Sequence, residues 1–205
     1  MLSNLPEFIA AVFLLAMIPG QGTAMILRQT LLFGSRTGAF TVIFYTFGFT
    51  IWGALSAIGL AAIFTQSPTA YAILKYVGVT YLLFLSFQGF MQLTKKTPKF
   101  DFSKIDKVDK ATPFKTGITT SLTNAKAAVI AVAFLPAFVP QDFNLALGIF
   151  ILGCVWTLTS MCWYLPLVLS VGKTTDFFAN PKSRKILTLI SCFGLLILAL
   201  LLAIS

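Results

Sequence analysis

Apolar residues in this chain do not alternate with polar ones. They run on in six blocks, at about 5–32, 39–64, 69–93, 117–139, 143–171 and 186–204, parted by polar stretches. A helix needs roughly 20 predominantly apolar residues to cross about 30 Å of hydrocarbon. Each block meets that length, so each predicts a transmembrane helix, and surplus length is taken up by tilt or breaks. Two blocks are interrupted. In the first, Ile18-Pro19-Gly20-Gln21-Gly22-Thr23 stands between two apolar runs. Proline removes a backbone donor and glycine lowers the cost of unwinding. In hydrocarbon, freed backbone groups persist only where protein or a watery cavity satisfies them, so a mid-span break points to a binding site. A plain kink is the competing reading, since Pro and Gly are common in membrane helices. The fourth block is interrupted at Asn124-Ala125-Lys126.

The composition agrees with the blocks. The 205 residues are 58% hydrophobic and 10% charged, with a mean hydropathy of +0.91; a soluble domain carries about 25% charged residues. The expectation is an all-α integral membrane protein of six transmembrane helices, a single domain over 1–205. The net charge of +9 invites a nucleic-acid reading, but seven of the fifteen basic residues crowd into 95–115. Charge so placed marks the untranslocated side of a membrane, and nucleic acid is not expected as a partner. Arg28 and Arg36 follow the first block, and Lys173, Lys182, Arg184 and Lys185 follow the fifth. The loops at 65–68 and 140–142 hold no Lys or Arg. The positive-inside rule then puts the three basic loops in the cytoplasm and both termini outside, in an inner (plasma) membrane. The N-terminus carries Glu7 and no basic region, so it reads as the first span rather than as a cleaved signal. Cys154, Cys162 and Cys192 lie in apolar runs without paired spacing and read as small core residues. The absence of histidine excludes His-metal sites and the usual proton shuttle, and no metal site or cofactor is expected.

Six spans divide into two units of three, about 1–94 and 114–205, joined by the loop 95–113. An odd number of spans per unit inverts the second relative to the first, a 3+3 inverted repeat with interrupted helices one and four. Trp52 follows Pro19 by 33 residues and Trp156 follows Asn124 by 32, but the two interruptions carry more weight.

Lys126 is the second anchor. An ammonium near the bilayer midplane costs about 2.5–3.5 kcal/mol on insertion scales unless paired or hydrated. Its functional reading is a partner for an anion; its structural one is a cap on freed carbonyls. A zwitterionic amino acid needs a partner at each end. Lys126 and a half-helix N-terminus suit its carboxylate. Unwound backbone at Pro19, Gly20, Gln21, Thr23 and Asn124 suits its ammonium. Tyr81 is a candidate donor into the same cavity, Trp52 and Trp156 are either cavity wall or packing, and most of the 21 phenylalanines read as lipid-facing or packing surface. The glycines Gly48, Gly53, Gly59 and Gly78 read as places of close helix approach.

With Pro19-Gly20-Gln21, Asn124-Ala125-Lys126-Ala127, Phe134-Leu135-Pro136-Ala137-Phe138, Gly59-Leu60 and Gly78-x-x-Tyr81-Leu82 in order, the chain resembles the lysine-exporter (LysE/RhtB) family, whose first helix carries Pro-Gly-Pro and whose fourth begins around Asn-Pro-Lys-Ala. The resemblance covers almost the whole chain and implies a six-helix amino-acid exporter working by antiport. Gln21 and Ala125 stand where that pattern has proline, which predicts milder breaks. Phe49 stands where the pattern tends to have Asp, and no Asp or Glu remains in the interior of a span, Glu7 and Asp142 lying near the outer ends. Proton coupling then falls to Lys126, takes another form or is lost, and a cationic substrate is disfavoured. The expected partners are a small neutral amino acid or related metabolite, the lipid bilayer and protons; the sequence allows a homo-oligomer without specifying one. An ion or metal exporter of similar architecture, or a non-transporting scaffold, stays open. An enzyme does not fit, for want of an acidic dyad or a glycine-rich phosphate loop.

Overall fold

The computed structural model describes residues 5–64, 68–94, 112–140, 142–170, 177 and 180–204. Among them every regular element is helical and no strand occurs. The order is α1 (Leu5–Met17), α2 (Gln21–Phe64), α3 (Pro68–Thr94), α4 (Pro113–Leu122) and α5 (Ala125–Val129). A π-helical turn (Ile130–Phe134) and a 3-10 turn (Pro136–Phe138) follow, then α6 (Leu145–Leu169) and α7 (Pro181–Ile204). The basic loop at 95–111 and Lys173 lie outside the described residues.

The start signals are those the side chains dictate. Thr112 caps α4 by accepting from Lys115 N at 3.3 Å, with Pro113 next, where its missing donor is harmless. Asn144 caps α6 through Leu147 N at 2.9 Å. Asn180 accepts from Lys182 N at 2.9 Å, so α7 begins at Pro181, five residues before the apolar block. Lys182, Arg184 and Lys185, expected in a loop, therefore lie on helix. At about 1.5 Å per residue the 44 residues of α2 would be far longer than a bilayer is thick. They are divided at Gly34, whose φ of 85° and ψ of 165° suit glycine alone.

By length and composition, three described helices can cross a membrane: Gln21–Gly59, Leu145–Leu169 and Pro181–Leu200. A fourth results if α4 and the bent segment Ala125–Phe138, at 56° to each other, count as one span. Two shorter apolar stretches, Leu5–Met17 and Tyr76–Met91, also occur among the described residues.

At the centre the second half of α2 crosses α6 with Gly53 on Gly153. A Cβ built on Gly53 would sit 2.9 Å from the Gly153 Cα, and one on Gly153 would sit 3.0 Å from the Gly53 Cα. Backbones meet there with no side chain between, as small residues allow. Thr157 Oγ1 donates to the Thr46 carbonyl at 3.0 Å and lies 2.8 Å from Thr50 Oγ1, fixing the register. Gly48 packs on Ser121, and Gly78 on Ala137 and the Ala133 carbonyl; Gly59, expected at a close approach, meets nothing within 4 Å among the described residues. Helix α3 packs along α7, where Ser86 Oγ donates to the Cys192 carbonyl at 2.9 Å. Cys192 is core as expected and Cys154 half-buried, whereas Cys162 is exposed on the outer face of α6. Phe40, Phe47, Phe84, Phe87 and Phe193 are exposed on apolar outer faces, the surface a bilayer covers.

Candidate functional site

Both interruptions are real breaks, and neither missing proline restores continuity. Helix α1 stops at Met17, and 18–20 leave the helical path before α2 begins at Gln21. The last carbonyls of a helix have no partner within it. Pro19 deepens that deficit, because its nitrogen cannot return to the carbonyl four residues earlier, that of Leu15. In the fourth block Asn124 adopts an extended conformation (φ −79°, ψ 104°) and its Oδ1 accepts from Lys126 N at 3.0 Å. Asn124 thus ends one half-helix and caps the next.

The two breaks meet. Lys126 Nζ donates to the Leu15 carbonyl at 3.0 Å, the group that Pro19 leaves bare. An ammonium at a helix C-terminus also meets the negative end of the helix dipole. Beside it, Tyr164 Oη approaches the Ala16 carbonyl at 3.5 Å. From the opposite side, Asn124 Nδ2 donates to Tyr45 Oη at 3.1 Å, and the Tyr164 hydroxyl is hydrogen-bonded to those of Tyr45 and Thr23. A chain of polar contacts therefore runs from the cap of α5, through two tyrosines, to the open end of α1.

Around these groups lies a cavity of about 10 Å³, lined by Leu15, Ala16, Tyr45, Asn124, Lys126, Ile130, Phe49, Trp156, Ser160 and Tyr164 among others. That volume holds about one water. Its apolar wall is the pair Phe49–Trp156, stacked with ring centroids 4.1 Å apart and planes 2° from parallel. Ser160 is 1% exposed, and its Oγ has no hydrogen-bond partner among the described residues. Lys126 is the sole amine or carboxylate among the lining side chains.

The anticipated residues fare differently. Asn124 and Lys126 line the cavity, while Pro19 acts through the donor it lacks. Thr23 is buried and reaches Tyr164. The Gly20 carbonyl is taken by Ala24 N at 3.0 Å, and Gln21 is exposed at the start of α2. Tyr81 is elsewhere, on an open groove between α3 and the π-helical turn with Tyr76, Val77, Phe84 and Val129. Trp156 is cavity wall; Trp52 instead donates from Nε1 to the Ser121 carbonyl at 3.2 Å. Tyr45, Phe49, Ser160 and Tyr164 were not anticipated as lining. Their spacing carries a signal: Trp156, Ser160 and Tyr164, like Tyr45 and Phe49, recur at four residues and share a helix face.

Fold and site together define an integral membrane protein whose polar centre is built from interrupted helices. The family model for the LysE type translocator matches residues 13–205. The chain belongs to that family of membrane translocators. It is 24% identical over 195 residues to the uncharacterized membrane protein YrhP of Bacillus subtilis, covering 89% of this chain and 90% of that one. It is 26% identical over 185 residues to a leucine efflux protein of Klebsiella pneumoniae, covering 90% and 84%. An uncharacterized membrane protein of Vibrio cholerae is 32% identical over 133 residues, 63% of this chain and 61% of the relative. No solved structure matches the chain.

Proposed function

We propose that this protein exports small zwitterionic amino acids with apolar side chains, leucine among them, across the inner membrane by alternating access. The observation that carries the reading is the meeting of the two breaks: a lysine ammonium, freed helix carbonyls and a stacked aromatic wall converge on one buried point. The ammonium of Lys126 and the first turn of α5 suit a carboxylate, the end of α1 suits an ammonium, and Phe49 with Trp156 suits an apolar side chain. The family and the relatives named leucine efflux protein agree with this.

The architecture we assign is six spans in two inverted units, about 1–94 and 114–205, with both termini outside. The reciprocal seating of Gly53 and Gly153 supports it: the Ile149 carbonyl lies 3.6 Å from a Cβ on Gly53, and the Phe49 carbonyl 3.6 Å from one on Gly153. Rocking about that contact opens the cavity to each side in turn. Proton antiport is assigned to Lys126, the lining group able to release and regain a proton.

Purified protein in proteoliposomes tests the reading. Saturable leucine counterflow is expected, and Lys126→Ala should lower it at least about tenfold with membrane insertion intact. Undiminished flux in that variant removes the role given to Lys126. Flux indifferent to an imposed pH gradient removes the antiport.

A further inference from the structure

We propose that Lys126 is a tethered stand-in for the substrate's own ammonium, and that loading exchanges one cation for the other at the open end of α1. This rests on the amino-acid reading above. In the structure the carbonyl best suited to a substrate ammonium, that of Leu15, is already taken by Lys126 Nζ at 3.0 Å. Its neighbour, the Ala16 carbonyl, has among the described residues the long contact from Tyr164 at 3.5 Å. The cavity holds about one water, so an amino acid enters only if something leaves. Among the lining groups Lys126 has the long flexible stem that can swing away while its head stays near. Ser160 Oγ, buried and unpartnered among the described residues, lines the same cavity and is available to whatever arrives.

The charges specify the exchange. Before loading, the negative end of α1 is met by Lys126. In the loaded site the substrate carboxylate draws Lys126 into an ion pair and the substrate ammonium replaces it on the Leu15 and Ala16 carbonyls. No bond is made or broken, and neither state leaves a buried cation without a partner. This accounts for a site that works without an acid: Phe49 packs on Trp156, and the broken helix end is the counter-charge. It also makes both ends of the substrate necessary. An amine alone cannot evict Lys126, and a carboxylate alone strips the Leu15 carbonyl without replacing its donor.

Thermal stabilisation of the full-length purified protein by leucine, 3-methylbutylamine and 4-methylpentanoate tests this. The last two are leucine without its carboxylate and without its ammonium. Wild type should respond to leucine and to neither half. Lys126→Ala, or the closer isostere Lys126→Met, vacates the carbonyls and should gain response to the amine, half-saturating at least about tenfold below the highest concentration at which wild type shows none. Two results overturn the exchange: a wild type that binds the amine as tightly as leucine, or a folded Lys126 variant that gains no amine binding. Should neither variant fold, the wild-type comparison still decides. A variant that gains the amine while wild type shows no leucine counterflow upholds the exchange and removes the substrate assignment.

Discussion

Tyr45 shows how a residue unremarked in the sequence sets the chemistry of its neighbours. Its hydroxyl accepts from Asn124, whose Oδ1 caps the half-helix carrying Lys126, so the tyrosine fixes the amide that fixes the lysine. Tyr45→Phe leaves a buried amide donor unpaired. A loss of about 1–3 kcal/mol in unfolding free energy is expected, with reduced leucine flux. A variant with unchanged stability and flux would show that Asn124 is held by other means. Phe49 is the opposite case. Its departure from the acid of the related pattern was legible in the sequence, but its role was not. Only the structure brings the ring face to face with Trp156, because a stacking partner 107 residues away is a matter of how α2 lies on α6.

At the scale of elements, proline and its orphaned carbonyl recur. Pro19 frees the Leu15 carbonyl, and Lys126 from another helix answers it. In the π-helical turn Leu135 N returns five residues to Ile130, so the next carbonyl in that register, Ala131, faces Pro136. Ser56 Oγ answers it at 2.6 Å. Hydrocarbon offers no water for such groups, so a partner from another helix becomes part of the fold. Pro19→Ala supplies the missing donor and allows α1 to run on toward α2. Helicity and stability should hold or rise, by about 0.5–1 kcal/mol at most, while leucine flux falls about tenfold or more. A healed helix with full transport would show that the break is only a kink. The close crossing of α2 and α6 gives a complementary case. Gly153→Ala drives a methyl against the Gly53 backbone and should cost about 1–3 kcal/mol in thermal or denaturant unfolding. Stability equal to wild type would mean that the two helices can part without penalty.

For the whole molecule, the assignment of both termini outside is checked by single cysteines placed in a background lacking Cys154, Cys162 and Cys192. A cysteine at 104 should react with an impermeant maleimide only from the cytoplasmic face, and one at 66 only from outside. The reverse pattern would invert the transporter. Helical class and the two interruptions could be read along the chain, because membrane insertion depends on local length, apolarity and flanking charge. Gly34 as the divider of α2 and the extension of α7 to Pro181 could not, since a positive φ and a capping contact are made by neighbours rather than by composition. The place of Tyr81 on a separate groove could not be read for a related reason: a hydroxyl in an apolar run signals that it needs a partner, not where it faces. By itself the sequence determined that there would be broken apolar helices and a cation among them, because prolines, asparagines and lysines act on their own few turns of backbone. Only the tertiary structure decided that the cation of one break answers the carbonyl of the other, 111 residues away, because that pairing is set by which helices cross and at what register.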